Sequence, residues 1–257
     1  MVNYLELFRP KSLDEYVGNK SQVIMVNKWF KAMNKPLLLI GPPGTGKTTL
    51  AYLMAKEHGF KVIGYNMSDR RLKEDIDEIV KSFKQSHLWN TIYVFDEVDG
   101  YGKLINKLLH KRVILIANDE RRVKYVKDKC LVVRFSYPSE WERRELLERI
   151  IDRLGIEVDE DKKNDILSKS RTYRDVVLLA MLVVYGGETY SADLSDVRSM
   201  SVMARRALRG EIDTSYIKNV RELWIYMQFI KPEFVFTVHW PDWYKKKFLR
   251  FLSKQAV

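Results

Sequence analysis

Three short, uninterrupted apolar runs mark the first half of the chain. They are Leu37 to Ile40, Ile92 to Phe95 and the apolar part of RVILIAND, which is followed by Asn118. Runs of this length are typical of strands that are buried on both faces. After the first run, apolar residues from Leu50 to Met54 recur at helical spacing. The pattern predicts an α/β domain with a mostly parallel sheet, whose functional residues lie at the carboxyl edge of the strands.

The longest apolar run of the chain is VVLLAMLVVY, from Val176 to Tyr185. It is too short to span a bilayer and is better interpreted as the buried stretch of a helix. The N-terminal stretch MVNYLELFRPKSLDEYVGNK is too charged for a signal peptide. We therefore expect a soluble, cytoplasmic protein that has no membrane partner.

Composition narrows the class of partner. The 257 residues suffice for one large domain, or for a large and a small one, and 46% of them are hydrophobic. Cys130 is the only cysteine, which excludes an internal disulfide and a thiolate zinc site. The net charge of +11 favours an anionic partner such as nucleic acid, although a merely basic, soluble protein is the alternative.

A glycine-rich motif follows the first apolar run. GPPGTGKT fits the pattern G-x-x-x-x-G-K-S/T at every fixed position and lies between a predicted strand and a predicted helix. Its glycines let successive backbone N–H groups point at phosphate oxygens, while Lys47 would reach the β- and γ-phosphates and Thr48 would bind Mg²⁺. The predicted nucleotide-binding residues of this motif are Gly41, Pro42, Pro43, Gly44, Thr45, Gly46, Lys47, Thr48 and Thr49.

The second and third apolar runs end in polar residues that suit ATP hydrolysis. Asp96 would hold Mg²⁺ and Glu97 would orient and polarise the attacking water. The alternative is two surface acids after an edge strand. Asn118 would hydrogen-bond the γ-phosphate or the water, or it is a turn residue. Together these motifs predict a P-loop ATPase with ATP and Mg²⁺ as cofactors.

Four segments extend the similarity to a family. LFRPKSLDEYVGN, NMSDRR, FDEVDG and LIAND occur in the order found in AAA+ clamp loaders, and the chain most resembles archaeal replication factor C large subunits. GIEVDEDKKNDILSKSRTYRDVVLLA is similar to the helical lid of that family. The resemblance implies a P-loop AAA+ core over residues 1–136, a small helical lid over 137–186 and a short, collar-like helical segment over 187–257.

The resemblance also implies further nucleotide contacts. Arg9, Pro10, Val17 and Gly18 would frame the adenine. Arg174 matches the lid arginine that touches the nucleotide, whereas the residues alone are also compatible with a solvent-facing helix position. The catalytic set implied in this way is Lys47, Glu97, Asn118 and Arg174.

Two departures from the family pattern change the expected role. The stretch KDKC, Lys127 to Cys130, has lysines where small subunits carry an arginine that reaches into the neighbouring ATP site. Lysine lacks the planar fork of arginine, so this chain should receive such an arginine and not donate one. The segment after the lid offers only part of the family's helical collar, which weakens the expected docking into a pentamer.

The family implies that primed double-stranded DNA is bound through its phosphates. The candidate contacts, around the helix after NMSD, are Arg70, Arg71, Lys73, Lys81 and Lys84. Acidic residues interrupt this run, so a solvated helix of mixed charge is an equally good interpretation. The other implied partners are replication factor C small subunits and the sliding clamp.

Two apolar segments are candidates for the clamp contact. Leu88 and Trp89 would lie at a turn that presses on the clamp, or would be buried against the chain's own sheet. In the tail WYKKKFLRFLSKQAV, one helical turn would present Phe248, Phe251 and Leu252 to an apolar pocket. Lys245 stands where clamp ligands carry glutamine. The alternatives are an amphipathic helix end packed on its own domain and, less favoured, a membrane-surface helix.

The function predicted from the sequence is that of an ATP-dependent clamp-loader subunit, similar to the replication factor C large subunit, that helps to open and load the sliding clamp onto primed DNA. Two alternatives stay open. One is an initiator- or helicase-loader-type AAA+ ATPase acting on DNA without a clamp. The other is a low-turnover ATP-binding adaptor that tethers a partner to the clamp.

Overall fold

The computed structural model describes residues 4–67, 76–85 and 90–186 of the chain. Several predicted contacts lie outside the described residues. These are Arg70, Arg71, Lys73, the side chain of Lys84, Leu88, Trp89, Phe248, Phe251 and Leu252.

In the described part of the chain, five strands form one parallel sheet in the order β2-β3-β4-β1-β5. The strands are β1 Leu37–Ile40, β2 Lys61–Asn66, β3 Thr91–Asp96, β4 Val113–Ala117 and β5 Leu131–Arg134. The three apolar runs are β1, β3 and β4, so the prediction of a mostly parallel sheet is confirmed. Because β3 lies between β2 and β4, its terminal acids do not follow an edge strand.

Helices connect the strands and continue beyond the sheet. They are α1 Tyr4–Leu7, α2 Lys20–Ala32, α3 Lys47–Glu57, α4 Ile76–Gln85, α5 Glu140–Leu154, α6 Glu160–Lys169 and α7 Tyr173–Gly186. Short 3-10 helices follow β3 and β4, at Val98–Gly100, Gly102–Leu108, Glu120–Val123 and Lys127–Lys129. None of the described helices combines the length and the apolar character that a membrane crossing requires.

The sheet separates two apolar layers because alternate residues of each strand point to opposite faces. On one face Leu38, Phe95 and Leu115 pack with the buried side of α4 and the 3-10 helices after β3 and β4. On the other face the neighbouring strand residues pack with α2 and α3, where Trp29 and Leu50 are almost completely buried. Packing on both faces of the sheet therefore fixes the ends of β1, β3 and β4 beside one another.

The start of α5 shows why the chain turns into a helix after β5. Ser139 Oγ accepts a hydrogen bond from the Glu142 backbone N–H at 3.3 Å, and Glu142 Oε2 accepts one from the Ser139 N–H at 2.7 Å. This reciprocal arrangement is a capping box, and it satisfies two helix-end donors. Gly155 ends the helix in the left-handed region, with φ of 63°.

The chain divides into two compact units. One comprises Arg9–Glu157 with Arg171–Val176 and holds the whole sheet. The other contains the described stretches 4–8, 158–170 and 177–186, in which Ile166 of α6 and residues 177–181 of α7 are buried. The described part of the apolar run, from Val176 to Met181, is thus buried within a helix, in agreement with the prediction for this run. The boundaries at 136 and 186 expected from the sequence stay a prediction.

Candidate nucleotide-binding site

The glycine-rich loop joins β1 to α3 at the carboxyl edge of the sheet. Gly44 and Gly46 both adopt left-handed backbone conformations, with φ of 78° and 92°. A Cβ on Gly44 would lie 2.8 Å from Thr172 Oγ1, and one on Gly46 would lie 2.6 Å from Tyr16 Oη. Only glycine fits both positions, so the loop keeps the tight curl that turns backbone N–H groups toward an anion.

Lys47 is the first residue of α3 and lies buried under this loop, with 5% of its surface exposed. Its Nζ donates hydrogen bonds to Gly41 O at 2.7 Å, Pro42 O at 2.8 Å and Asn118 Oδ1 at 3.0 Å. Burial lowers the pKa of Lys47 to about 8, although the nearby carboxylates of Asp96 and Asp99 oppose that shift. The structure therefore brings together two predicted site residues, Lys47 and Asn118, that are 71 positions apart.

The residues predicted to bind the metal also meet. Thr48 Oγ1 donates a hydrogen bond to Asp96 Oδ2 at 2.6 Å. Asp96 Oδ1 accepts a second hydrogen bond, at 2.8 Å, from the backbone N–H of Glu97. A hydroxyl and a carboxylate oxygen beside a phosphate-binding loop are the hard ligands that Mg²⁺ prefers, so these residues fit the ion.

Glu97 leaves β3 with an unusual backbone. Its φ of 58° lies in the left-handed region, which costs a non-glycine residue of order 1 kcal/mol or more. Its side chain is exposed at the carboxyl edge of the sheet. This turn aims the chain into the 3-10 helix Val98–Gly100, in which Val98 is completely buried.

The structure adds Asp99 to the site, which sequence reasoning missed. Its carboxylate accepts hydrogen bonds from the backbone N–H of Asn118, at 3.1 and 3.0 Å, and from that of Asp119 at 2.7 Å. The available signal was the third acid of FDEVDG. Nothing in that motif says which backbone it will contact.

A second missed pair supports the loop from the N-terminal side. Tyr16 Oη donates to Gly46 O at 3.2 Å, and Asn19 Nδ2 donates to Thr45 O at 3.1 Å. The Asn19 backbone N–H in turn donates to Glu142 Oε1 at 3.1 Å. Burial raises the pKa of Tyr16 far above that of a free tyrosine, so its hydroxyl stays protonated and available as a donor.

The residues expected to frame the adenine occupy this same N-terminal segment. Val17 is buried, Pro10 is partly exposed and Arg9 is exposed. Gly18 lies against Tyr173, since a Cβ on Gly18 would be 2.1 Å from the Tyr173 hydroxyl oxygen. Burial raises the pKa of that hydroxyl, and the Glu142 carboxylate raises it further.

The predicted lid arginine lies beside the glycine-rich loop. A Cβ on Gly44 would be 3.1 Å from Arg174 Cβ, and the positive charge of Arg174 contributes to lowering the Lys47 pKa. The Arg174 side chain is exposed. Its placement agrees with a role at the bound nucleotide, and that role stays a prediction.

The stretch without an arginine makes contacts within its own chain. Lys129 Nζ donates to Asn106 Oδ1 at 2.8 Å, while Lys127 pairs with Glu120. Glu120 also accepts two hydrogen bonds from the Arg134 guanidinium.

Of the predicted DNA contacts, Lys81 is described and lies exposed on α4. An open cavity of about 460 Å³ at the end of β1, β4 and β5 is lined by residues that include Gly41, Asn118, Arg121 and Arg134.

The fold and this geometry agree with a known protein family. Residues 37–118 match the family described as "ATPase family associated with various cellular activities (AAA)". Over this stretch the chain is similar to AAA ATPase domains. The matched stretch begins with β1 and ends at Asn118, so it contains the glycine-rich loop, Asp96 and Glu97.

Similarity to curated proteins extends over more of the chain. The replication factor C large subunit of Methanosphaera stadtmanae is 30% identical over 228 residues, which cover 80% of this chain and 42% of that protein. The large subunit of Archaeoglobus fulgidus is 33% identical over 61% of this chain and 39% of its own length. The resemblance inferred from the motifs is thereby confirmed. The chain spans less than half the length of these relatives.

Solved structures support the same fold. Two structures of RuvB from Thermotoga maritima are each 19% identical to the chain, with TM-scores of 0.58 and 0.54. The first alignment covers 81% of this chain and 77% of RuvB, and the second covers 86% and 72%. At this identity the likeness concerns the fold alone, and it confirms the predicted α/β P-loop AAA architecture.

Proposed function

We propose that the protein is an ATP-dependent clamp-loader subunit of the replication factor C large-subunit type. In this role it would work in the cytoplasm with replication factor C small subunits to open a sliding clamp and load it onto primed double-stranded DNA. The observation that carries the proposal is the meeting of Lys47 with Asn118, and of Thr48 with Asp96, beneath one glycine-rich loop. Similarity to an archaeal large subunit over 80% of the chain supports this task over other tasks of AAA ATPases.

The described residues can divide the work of hydrolysis among them. The loop N–H groups and Lys47 would bind the phosphates of ATP, and Thr48 and Asp96 would hold Mg²⁺. The ion supplies positive charge that offsets the charge of the phosphates. Glu97 would orient and polarise the attacking water, and Asn118 would hydrogen-bond that water or the γ-phosphate.

Two arginines would complete the site, one from α7 of this chain and one from a neighbouring subunit. Arg174, beside Gly44, would add positive charge at the nucleotide from the start of α7. The lysines of Lys127–Cys130 cannot provide the bidentate fork of arginine, so we infer that this chain accepts an arginine from a neighbouring subunit at its own site. Turnover is then expected to depend on the assembled complex.

Clamp and DNA contacts complete the proposal. The clamp would be contacted through Leu88, Trp89 and the tail residues Phe248, Phe251 and Leu252. DNA would be bound through its phosphates by the basic residues Arg70, Arg71, Lys73, Lys81 and Lys84. Because phosphate contacts depend on charge, DNA binding should weaken steeply as the salt concentration rises.

The test separates hydrolysis from tethering. ATP binding, ATP turnover and clamp loading are measured for the chain with small subunits, clamp and primed DNA. The wild type is compared with Glu97→Gln and with the matched control Glu157→Gln, which changes an exposed glutamate after α5. We expect Glu97→Gln alone to abolish clamp loading while ATP binding is retained. Clamp loading that survives in Glu97→Gln would contradict a loader and favour the ATP-binding adaptor.

A calorimetric titration into the sliding clamp tests the partner. The wild type is compared with Phe251→Ala/Leu252→Ala in the presence of ATP. Lost binding in the double variant is expected if the tail is a clamp ligand. Unchanged binding would move the contact elsewhere, and no binding by the wild type in two independent assays would refute the clamp as partner.

A further inference from the structure

The carboxylate of Asp99 joins two parts of the site that are distant in sequence. It receives three hydrogen bonds, of 2.7 to 3.1 Å, from the backbone N–H groups of Asn118 and Asp119. Both N–H groups lie directly after the end of β4. Hydrogen bonds from N–H groups to a carboxylate are charge-assisted and stronger than those between neutral groups.

Asp99 is itself held by its own turn. It lies in the 3-10 helix Val98–Gly100, whose first residue is completely buried against the sheet. Glu97 directly precedes this turn and has the left-handed backbone that directs the chain into it. One short turn, with Val98 buried at its start, therefore connects Asp99 to the backbone that carries Glu97.

The Asp99 carboxylate also binds the backbone of Asn118, which lies after β4. The Asn118 side chain accepts a hydrogen bond from Lys47 Nζ at 3.0 Å, while its backbone is bound to Asp99. Asp99 also lies close enough to Lys47 to oppose the lowering of the lysine pKa. The contacts thus run without interruption from Lys47 through Asn118 to Asp99 and the turn after Glu97.

We propose that Asp99 is a positioning residue for ATP hydrolysis, which fixes Glu97 and Asn118 relative to each other at the phosphate-binding loop. This inference rests on the proposed ATPase function but goes beyond it, because it assigns Asp99 the placement of other residues of the site. Asp99 contributes by holding the reacting groups at the correct distance from one another. A displacement of about 1 Å at a reacting group can cost about a hundredfold in rate.

The first test replaces Asp99→Asn, which keeps the size of the side chain but replaces one acceptor oxygen with an NH₂ group facing backbone donors. Single-turnover hydrolysis of MgATP and binding of a fluorescent ATP analogue are measured in the assembled complex. We expect the rate to fall by about tenfold to a hundredfold while the dissociation constant changes less than about threefold. Asp152→Asn, the same change at an exposed aspartate of α5, is the matched control and should leave both unchanged.

A readout independent of activity follows the proposed contact directly. Hydrogen–deuterium exchange of the Asn118 and Asp119 amides should be at least about tenfold faster in Asp99→Asn than in the wild type or the control, because both amides lose their charged acceptor. If Asp99→Asn does not fold, Asp99→Glu keeps both acceptor oxygens and serves in its place. Its longer side chain should lower the rate while leaving nucleotide binding intact.

A double-mutant cycle distinguishes positioning from general destabilisation. Asp99→Asn and Asn118→Ala should be strongly non-additive in rate, since Asp99 is proposed to act partly through the Asn118 side chain that the second change removes. An unchanged rate, fully additive effects or equal losses of rate and binding would overturn the proposal. If the wild type hydrolyses no ATP, the proposed function fails, and unchanged amide exchange in Asp99→Asn would separately refute the Asp99 contact.

Discussion

Protonation of Lys47 should couple ATP binding to pH. Burial lowers the pKa of this lysine to about 8, so the free protein loses the proton as pH rises through that value. Bound phosphates are multiply charged anions and favour the protonated lysine. ATP binding above that pH must therefore take up a proton, and affinity must fall as pH rises.

The size of the effect follows from the shift. If the bound lysine regains its ordinary pKa, a site at about pH 9 takes up about 0.9 proton per ATP, whereas at about pH 7 it takes up about 0.1. The affinity should then fall about tenfold between these two values, which corresponds to about 1.4 kcal/mol. The terminal phosphate of ATP adds nothing here, since its own pKa is about 6.

The assay is isothermal titration calorimetry of MgATP binding at about pH 9 in buffers of different ionisation enthalpy. The slope of the observed enthalpy against the buffer enthalpy gives the number of protons taken up. Two other groups stay protonated at this pH, because burial raises the pKa of Cys130 to about 11 and that of Tyr16 still higher.

Lys47→Met is the control, and any residual ATP binding by this variant should not depend on the buffer. Clear ATP binding by the wild type with no proton uptake at about pH 9 would refute the reasoning. It would mean that Lys47 keeps its charge in the free protein, and that burial beneath the loop does not lower its pKa.

Three further changes test the core and the site. Leu39→Ala, in a completely buried strand residue, should lower the free energy of unfolding by about 2–5 kcal/mol in urea titrations, whereas Ile24→Ala at an exposed position of α2 should change it by less than about 0.5 kcal/mol. Asn19→Ala should cost about 1–3 kcal/mol, because the Thr45 carbonyl loses its side-chain donor; equal stability to the wild type would contradict that. Thr48→Ala should raise the Mg²⁺ concentration needed for half-maximal ATP turnover by about tenfold with little change in stability, and an unchanged requirement would exclude Thr48 as a ligand.

Local sequence was sufficient for the elements whose conformation depends on neighbouring residues. Uninterrupted apolar runs predicted β1, β3 and β4, because strands covered on both faces need no polar side. The glycine-rich loop was equally predictable, since left-handed backbone at Gly44 and Gly46 admits no other residue. By contrast β2 was missed, because all its residues are partly buried or exposed and they form no long apolar run.

Long-range contacts were decided only by the tertiary structure. Asn19 and Glu142 are 123 positions apart, and Asp99 meets the backbone of Asn118 across a 19-residue separation. Which loops meet at the sheet edge depends on the strand order, in which β4 lies between β3 and β1, and no local propensity encodes that order.

The sequence by itself therefore determined which chemical groups form the site, whereas the tertiary structure determined their pKa values and their contacts. Lys47, Thr48, Asp96 and Glu97 could be named from two short motifs. The lowered pKa of Lys47 could not, because desolvation and the charges of Asp96, Asp99 and Arg174 act through space. The role inferred for Asp99 likewise exists only where the ends of β3 and β4 come together.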